Sequence, residues 1–163
     1  HEYWLRFRAP SPRLDETVWA HVYEPDGRED PPSLITLHGI AVEPEMWKQI
    51  SEPDFELVRR GFRVIRVGAP GHARRTPVGW YGGEPVLARG PLGFIELFEA
   101  WVAEVAVLIG WAHQTSTAPV AIGGLSLGAL TAQLVATAAR APSRGIASLR
   151  RGWSLGSLNR GIL

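Results

Sequence analysis

Three short apolar runs that each lead directly into glycine restrict this sequence to few folds. Short runs rich in Val, Ile and Leu and bounded by turn residues are typical of strands buried on both faces of a sheet. Helical patterns separate the runs, and such alternation indicates a parallel sheet with helices on both faces. We therefore predict an α/β fold whose parallel strands are residues 33–38, 62–67 and 120–122.

Two further strands precede this pattern. Residues 3–8 and 18–24 combine alternating or clustered apolar and β-branched residues with proline-rich breaks. This combination favours a pair of antiparallel strands. We expect the resulting antiparallel ribbon to form the N-terminal part of a mostly parallel sheet.

The helices are predicted from the spacing of apolar residues. Residues 94–109 place apolar side chains at three- and four-residue steps, which leaves Glu96, Glu99 and Glu104 on the remaining, water-facing surface. Residues 127–140 are small and apolar nearly all round, so we expect that helix to be buried at the centre of the fold. A weaker helical pattern covers residues 45–60, which Pro53 must interrupt or restart.

The predicted parallel strands bring three loops to one edge of the sheet. In open α/β sheets, ligands bind outside the carboxyl ends of the strands. Here those ends lead into residues 38–47, 68–91 and 124–128. We expect a site where the three loops meet.

The third of these loops contains the motif G-x-S-x-G. Gly124 and Gly128 flank Ser126, a Val-Ala-Ile strand precedes the motif, and a predicted helix follows it. In a nucleophile elbow, a serine occupies a strained turn between strand and helix, and small neighbours permit the tight backbone path. The alternative is a glycine-rich turn whose serine merely caps the helix. The flanking elements favour the elbow, with Ser126 as a nucleophile.

Three motifs, taken in order and spacing, resemble those of the α/β-hydrolase superfamily: Leu37-His38-Gly39, Gly68-Ala69-Pro70-Gly71-His72 and Gly123-Gly124-Leu125-Ser126-Leu127-Gly128. The resemblance covers about residues 1–142, from the opening ribbon through the helix behind the nucleophile. It implies an incomplete α/β-hydrolase fold, the N-terminal portion only. It also implies an esterase, lipase, thioesterase or peptidase type of acyl transfer on a small-molecule acyl substrate.

The resemblance further implies roles for residues around the serine. The N–H groups of Ile40 and Leu127 would form the oxyanion hole, where fixed dipoles meet the charge that develops on the carbonyl oxygen. His38 and Gly39 would orient the first loop, and His72 would shape the second loop rather than act as a base. For His38 the alternative is a satisfied histidine at a strand end without a catalytic role.

The sequence after the nucleophile lacks the rest of a catalytic triad. In the family the acid and then the histidine follow the serine, whereas residues 127–163 contain no Asp, Glu or His. A serine without an adjacent base is a poor nucleophile, so we expect the chain as given to be inactive or incomplete, with base and acid in a missing C-terminal part. The alternatives are a non-catalytic member that binds a small molecule or partner, and a partial sheet without independent function.

Composition and motifs limit the classes of partner and cofactor that we expect for this chain. The net charge of +1 gives no basic field to attract nucleic acid, and no cysteine is present. No metal-ligand spacing, phosphate loop or dinucleotide motif is found, so we expect neither metal nor cofactor. The lack of a long apolar run or signal peptide favours a soluble, cytoplasmic protein, with the reservation that the first residue is not Met and an N-terminal signal could precede it. Oligomeric state is left open.

Two segments do not follow the main pattern. Residues 74–85 form a long predicted loop, in which Trp80 and Tyr81 would either line an acyl or alcohol pocket or pack on the surface. Residues 143–163 carry four arginines and no acid. This shift in charge favours a boundary, with residues 1–142 as the N-terminal part of a hydrolase domain and 143–163 as an atypical tail that is truncated or out of frame. Only residues 146–149 suggest a strand there.

Overall fold

The computed structural model describes residues 1–11, 16–41, 52–140 and 159–161. Within these ranges six strands form one sheet: β1 (Glu2–Arg8), β2 (Thr17–Tyr23), β3 (Ser33–Leu37), β4 (Arg63–Val67), β5 (Val120–Gly124) and β6 (Asn159–Gly161). The described helices are α1 (Glu52–Arg59), α2 (Glu84–Ala88), α3 (Gly90–Thr115) and α4 (Leu127–Arg140), together with a 3₁₀ turn at Ala73–Arg75.

The strand order of the sheet is β5-β3-β4-β2-β1-β6. β3 pairs in parallel with both β4 and β5, and β2 pairs antiparallel with both β4 and β1. This arrangement confirms the predicted α/β fold, a parallel centre entered through an antiparallel ribbon. β6 adds antiparallel to the outer edge of β1, a pairing that the sequence did not predict.

The main core lies between one face of the sheet and helix α3. Alternate residues of β1 and β2 are buried, as expected for strands with one face in the core. Their side chains belong to one apolar cluster with the fully buried Trp101 and the nearly buried Leu97 of α3. The cluster members from the two strands are Tyr3, Leu5, Phe7, Val18, Ala20 and Val22.

Helix α3 is longer than the predicted segment 94–109 at both ends. Pro91 lies in its first turn, where a missing N–H leaves no helical bond broken, and Gly110 does not interrupt it. The helix ends at Thr115, and the extended backbone of Ser116 and its hydroxyl bonds to Asp30 and Pro31 turn the chain toward β5.

The predicted position of Glu104 was wrong. The side chain is fully buried, not on the water-facing surface, because Arg75 pairs with it in the interior. The sequence placed Glu104 by helical spacing alone, and that spacing contains no information about a cation supplied by another segment.

The predicted central burial of helix 127–140 was also wrong. Thr131 and Val135 are fully buried, but Leu130 is 52% exposed and Leu134 is 44% exposed. Within the described residues, no strand lies beyond β5 and no helix covers this face of α4. An apolar helix is buried only where neighbouring layers cover it, and here one layer is absent from the described ranges.

Other predictions are met in part. Helix α1 begins at Glu52 with Pro53 in its first turn, where proline is tolerated, whereas residues 45–51 of that prediction lie outside the described ranges. The predicted strand at 146–149 also lies outside them. In the described part of the chain, no helix has both the length and the apolar character needed to cross a membrane.

Candidate active site

Ser126 occupies a sharp turn between β5 and α4. Its φ angle is 52°, in the left-handed region that residues other than glycine seldom adopt. The turn brings the serine to the carboxyl edge of the parallel strands, where its side chain is exposed. A left-handed backbone at serine is unfavourable by roughly 1–2 kcal/mol, so the surrounding structure must hold it.

The two glycines of the motif permit this turn. A Cβ atom at Gly124 would collide with the backbone of Gly128, and a Cβ atom at Gly128 would collide with the carbonyl group of Leu37. In both cases the obstacle is backbone, which cannot move aside as a flexible side chain can. Helix α4 therefore approaches the ends of β3 and β5 as closely as it does because positions 124 and 128 lack side chains.

The loop after β3 lies directly beside the serine. A Cβ atom at Gly39 would lie 3.6 Å from Ser126 Cβ, and the N–H of Leu125 donates to the Leu37 carbonyl at 3.0 Å. The structure thus brings together the two predicted loops, which are 87 residues apart along the chain at Gly39 and Ser126. A main-chain hydrogen bond from Leu125 to Leu37 thus links the start of the serine turn to the end of β3.

The predicted oxyanion donors are the backbone N–H groups of Ile40, next to Gly39, and of Leu127, next to Ser126. In the described ranges, neither the Ile40 N–H nor the Leu127 N–H donates a hydrogen bond to another backbone group. Leu127 is the first residue of α4, where a helix leaves its leading N–H groups without internal acceptors. Ile40 is part of the loop beside Gly39. The hydrogen bonding of the described main chain is therefore compatible with both as oxyanion donors, which stays a prediction.

His38 is buried beneath this loop. Its Nδ1 lies 2.6 Å from the Gly39 carbonyl oxygen, and its Nε2 lies 3.0 Å from the N–H of Ala69. Burial lowers the pKa of His38 to about 4, although the hydrogen bond to Gly39 acts in the opposite direction. The ring is therefore neutral at physiological pH.

His72 is fully buried and connects the same loops from the opposite side. Its Nδ1 lies 2.9 Å from the Pro70 carbonyl oxygen, and its Nε2 accepts the N–H of Ala41 at 3.3 Å. With both nitrogens already occupied, the ring is not poised to take a proton from Ser126. The position agrees with a loop-shaping role and gives no support to a base.

A buried ion pair supports the loop after β4. The Arg75 guanidinium donates to both carboxylate oxygens of Glu104, at 2.7 and 2.8 Å, to the Gly68 carbonyl at 2.9 Å, and to Glu16. Burial raises the pKa of Glu104 to about 7, while the neighbouring Arg75 acts to lower it. The arginine thus joins the residue before β2, the residue after β4 and helix α3.

The long loop after the 3₁₀ turn contains Trp80 and Tyr81, for which the sequence left open either a pocket or a surface position. Trp80 is 46% exposed and Tyr81 is 77% exposed, so the surface alternative describes them better than pocket walls. A cavity of about 290 Å³ lies nearby between Pro70, Pro85, Val86 and Leu97, and Ser126 does not line it.

Two residues of the site were not found from the sequence. Ala41 has a φ angle of 59°, and Gly83 packs so tightly on His72 that a Cβ atom there would lie 2.5 Å from Nε2. The Gly82-Gly83 pair could have indicated that another group lies close to the backbone there. The sequence gives no comparable signal that an alanine will adopt a left-handed backbone. Two other histidines lie elsewhere in the fold: His21 stacks on Trp4 in the ribbon, and His113 is in the last turn of α3.

Comparison with known proteins identifies the fold. No family model and no curated protein matches the sequence. Among solved structures, ferulic acid-bound Est1E from Butyrivibrio proteoclasticus is similar, with a TM-score of 0.59 and 18% identity over 83% of this chain and 47% of that one. A lipase in its open form gives a TM-score of 0.61 and 20% identity, over 88% of this chain and 42% of the lipase.

A third similar structure is a cold-adapted esterase from an Arctic intertidal metagenomic library. Its TM-score is 0.57 and its identity is 22%, over 85% of this chain and 56% of the esterase. The chain therefore has the α/β-hydrolase fold, and it spans about half the length of the solved structures that it matches. Those neighbours are esterases and lipases.

Proposed function

We propose that Ser126 is the nucleophile of an acyl hydrolase that cleaves carboxylic esters, thioesters or amides. The observation that carries the proposal is the left-handed serine at the strand–helix turn, within van der Waals reach of the Gly39 loop. A serine that only capped the helix would have no need of this backbone. Esterases and lipases among the structural neighbours favour an ester substrate.

In the proposed reaction, Ser126 Oγ attacks the carbonyl carbon of the substrate, and the N–H groups of Ile40 and Leu127 stabilise the oxyanion. Collapse of the tetrahedral intermediate releases the alcohol, thiol or amine and leaves an acyl-serine, which water then hydrolyses. The hydroxyl proton must pass to a base. His38 and His72 use both ring nitrogens in other hydrogen bonds, and residues 127–163 contain no acid or histidine.

In this proposal the chain supplies the nucleophile and the oxyanion donors, and the base is neither His38 nor His72. A second function has a specific observation in its favour. The same absence of Asp, Glu and His after the nucleophile fits a non-catalytic protein that binds a small molecule or partner at this crevice.

Phosphonylation separates the two functions. We would treat the chain with a fluorophosphonate probe, with and without added imidazole as a substitute base, and measure adducts by intact mass. One adduct is expected, faster with imidazole and absent in Ser126→Ala. Thr137→Ala is the matched control, because it removes an exposed hydroxyl from α4, the helix that follows Ser126. An adduct that persists in Ser126→Ala would exclude this nucleophile, and no adduct with imidazole would favour the binding protein.

A further inference from the structure

Two consecutive peptide groups flank Ile40, and a different buried histidine holds each of them. The Gly39 carbonyl, in the first peptide group, is bonded to His38 Nδ1 at 2.6 Å. The Ala41 N–H, in the second, is bonded to His72 Nε2 at 3.3 Å. Because a trans peptide is planar, its C=O and N–H point in opposite directions, so fixing the Gly39 carbonyl also fixes the Ile40 N–H.

Each histidine makes one bond within its own loop and one bond to the opposite loop. His38 follows β3, and its Nε2 accepts the N–H of Ala69, which follows β4. His72 follows β4, and its Nδ1 is bonded to the Pro70 carbonyl, while its Nε2 reaches back to Ala41. The two rings lie 5.1 Å apart between centroids. His38 therefore reaches from the loop after β3 to the loop after β4, and His72 reaches in the opposite direction.

The partners fix the protonation of both rings. A carbonyl oxygen only accepts, so each Nδ1 must carry the proton that it shares with Gly39 or Pro70. A backbone N–H only donates, so each Nε2 must be unprotonated to accept from Ala69 or Ala41. Both rings are thus neutral Nδ1–H tautomers, and an imidazolium in either position would lose one of its two bonds.

The Ala41 contact occurs where the backbone is least favourable. Ala41 has a left-handed φ of 59°, a conformation that alanine seldom adopts without support. His72 supplies that support from a fully buried position, and Gly83 leaves just enough room for its ring. Such an arrangement is expected where a loop must hold one conformation before a ligand arrives.

We propose that His72 is a positioning residue of the oxyanion hole. His72 and His38 each bond to the loop that carries the other, and this pair, called the clasp below, fixes the direction of the Ile40 N–H. The inference rests on the proposed function, because that function gives the Ile40 N–H its purpose. His72 itself does not touch the reacting atoms in this assignment.

The first test needs no activity. Long-range ¹H–¹⁵N spectra of the labelled chain at neutral pH distinguish protonated from unprotonated ring nitrogens. We expect both His38 and His72 as Nδ1–H tautomers, while the exposed His113 serves as the internal reference for a ring in exchange with solvent. An Nε2–H tautomer or an imidazolium at either clasp position would overturn the proposal.

The second test separates the two bonds of His72. In His72→Gln the side-chain amide can reach Ala41 as an acceptor but cannot also serve Pro70, whereas His72→Asn can reach Pro70 but not Ala41. We expect amide exchange at Ala41 to rise about tenfold in His72→Asn and little in His72→Gln, as for the loss of one hydrogen bond. Equal exchange at Ala41 in both variants would overturn the proposal.

The third measurement links the clasp to the serine. The imidazole-assisted rate of phosphonylation should fall about tenfold in His72→Asn and remain within about threefold of the parent rate in His72→Gln. His113→Asn should leave that rate unchanged. If the parent chain forms no adduct, the proposed function fails. The tautomer spectra and the amide exchange at Ala41 then still test whether the clasp exists. If both variants label at the parent rate, the clasp fails while Ser126 stands.

Discussion

β4 and β5 are both parallel neighbours of β3, yet they differ completely in burial. All five residues of β4 are buried, including Arg63 and Arg66, and a strand lies on each side of it. None of the five residues of β5 is buried, and β3 is its one described neighbour. The strand with two arginines is therefore inside, and the apolar strand Val-Ala-Ile-Gly-Gly is at the edge.

Position within the sheet, rather than composition, accounts for this difference. The buried arginines of β4 are tolerated because Arg63 pairs with Glu24 at 2.8 Å and Arg66 pairs with Asp54 at 3.0 Å. We call β1, β2, β4 and α3 the closed half of the molecule, and β5 with α4 the open edge. The candidate oxyanion loop, which follows β3, lies between the two, and Ser126 belongs to the open edge.

The largest effect is expected when the buried cation that pairs with α3 of the closed half is removed. Arg75→Met leaves Glu104 without its partner and should lower the free energy of unfolding by about 3–5 kcal/mol. Because the pKa of Glu104 is already raised to about 7, protonation relieves part of this loss, so it should be larger at pH 8 than at pH 5.5. Urea unfolding of parent and variant at both pH values measures this loss of unfolding free energy.

The matched control is Arg89→Met. Arg89 forms an ion pair with Glu96, but its side chain is 55% exposed, so the change should stay within about 1 kcal/mol. Equal losses in the two variants would contradict the distinction between a buried and a solvated pair.

The second effect is the acid sensitivity of the loop between the halves. The pKa of His38 is lowered to about 4, so the unfolded chain binds its proton more readily between pH 6.5 and 4. The stability contributed by neutral His38 is present above pH 6.5 and is lost as pH falls, by about 3 kcal/mol over this range. Glu104 acts oppositely, because its raised pKa favours the folded state at low pH.

The two contributions are separated by comparison with His38→Gln. Between pH 6.5 and 4, the parent chain should lose about 3 kcal/mol more than this variant, as measured by urea unfolding. His113→Gln should follow the parent, and parallel curves for parent and His38→Gln would contradict a buried neutral ring.

The third effect compares glycines of the two halves. Gly128→Ala at the open edge drives a methyl group into the Leu37 carbonyl and should destabilise the chain by about 1–3 kcal/mol. Gly110→Ala in α3 of the closed half meets no atom within 4 Å and should stabilise it by about 0.5–1 kcal/mol. Thermal unfolding of both variants tests the pair, and a shift of the same sign would refute the close approach of α4.

The smallest effect is expected on the exposed face of α4. Leu134→Gln should change stability by less than about 0.5 kcal/mol, because that side chain is 44% exposed. Val135→Ala, one position along the same helix but fully buried, should cost about 2 kcal/mol. A loss above about 1 kcal/mol for Leu134→Gln would mean that the open edge is covered in solution.

Local pattern was enough to predict most of the fold. Every predicted strand of the described ranges agrees with the structure to within two residues at each end, because alternation and glycine boundaries are local signals. The sharp strand–helix turn at Ser126 was also predicted, since its glycines, strand and helix are contiguous in sequence. The meeting of Gly39 with Ser126 followed from the rule that parallel strands end at one edge.

What was missed depends on contacts between distant segments. Glu104 was assigned to water because its partner Arg75 lies 29 residues earlier. The exposure of Leu130 and Leu134 depends on which layers surround α4, which helical periodicity does not reveal. The bond from Ala41 to His72 likewise joins two loops, and no residue type announces a left-handed alanine.

The left-handed backbone of Ser126 has a consequence for directed evolution. Glycine adopts a φ of 52° without the steric penalty that serine carries there, so the two residues differ in stability by roughly 1–2 kcal/mol in favour of glycine. A screen that rewards heat resistance alone should therefore enrich glycine at position 126. With Ser126 as the proposed nucleophile, a screen that also rewards acyl transfer should remove those same clones, so the residue selected at position 126 shows which property the screen favours.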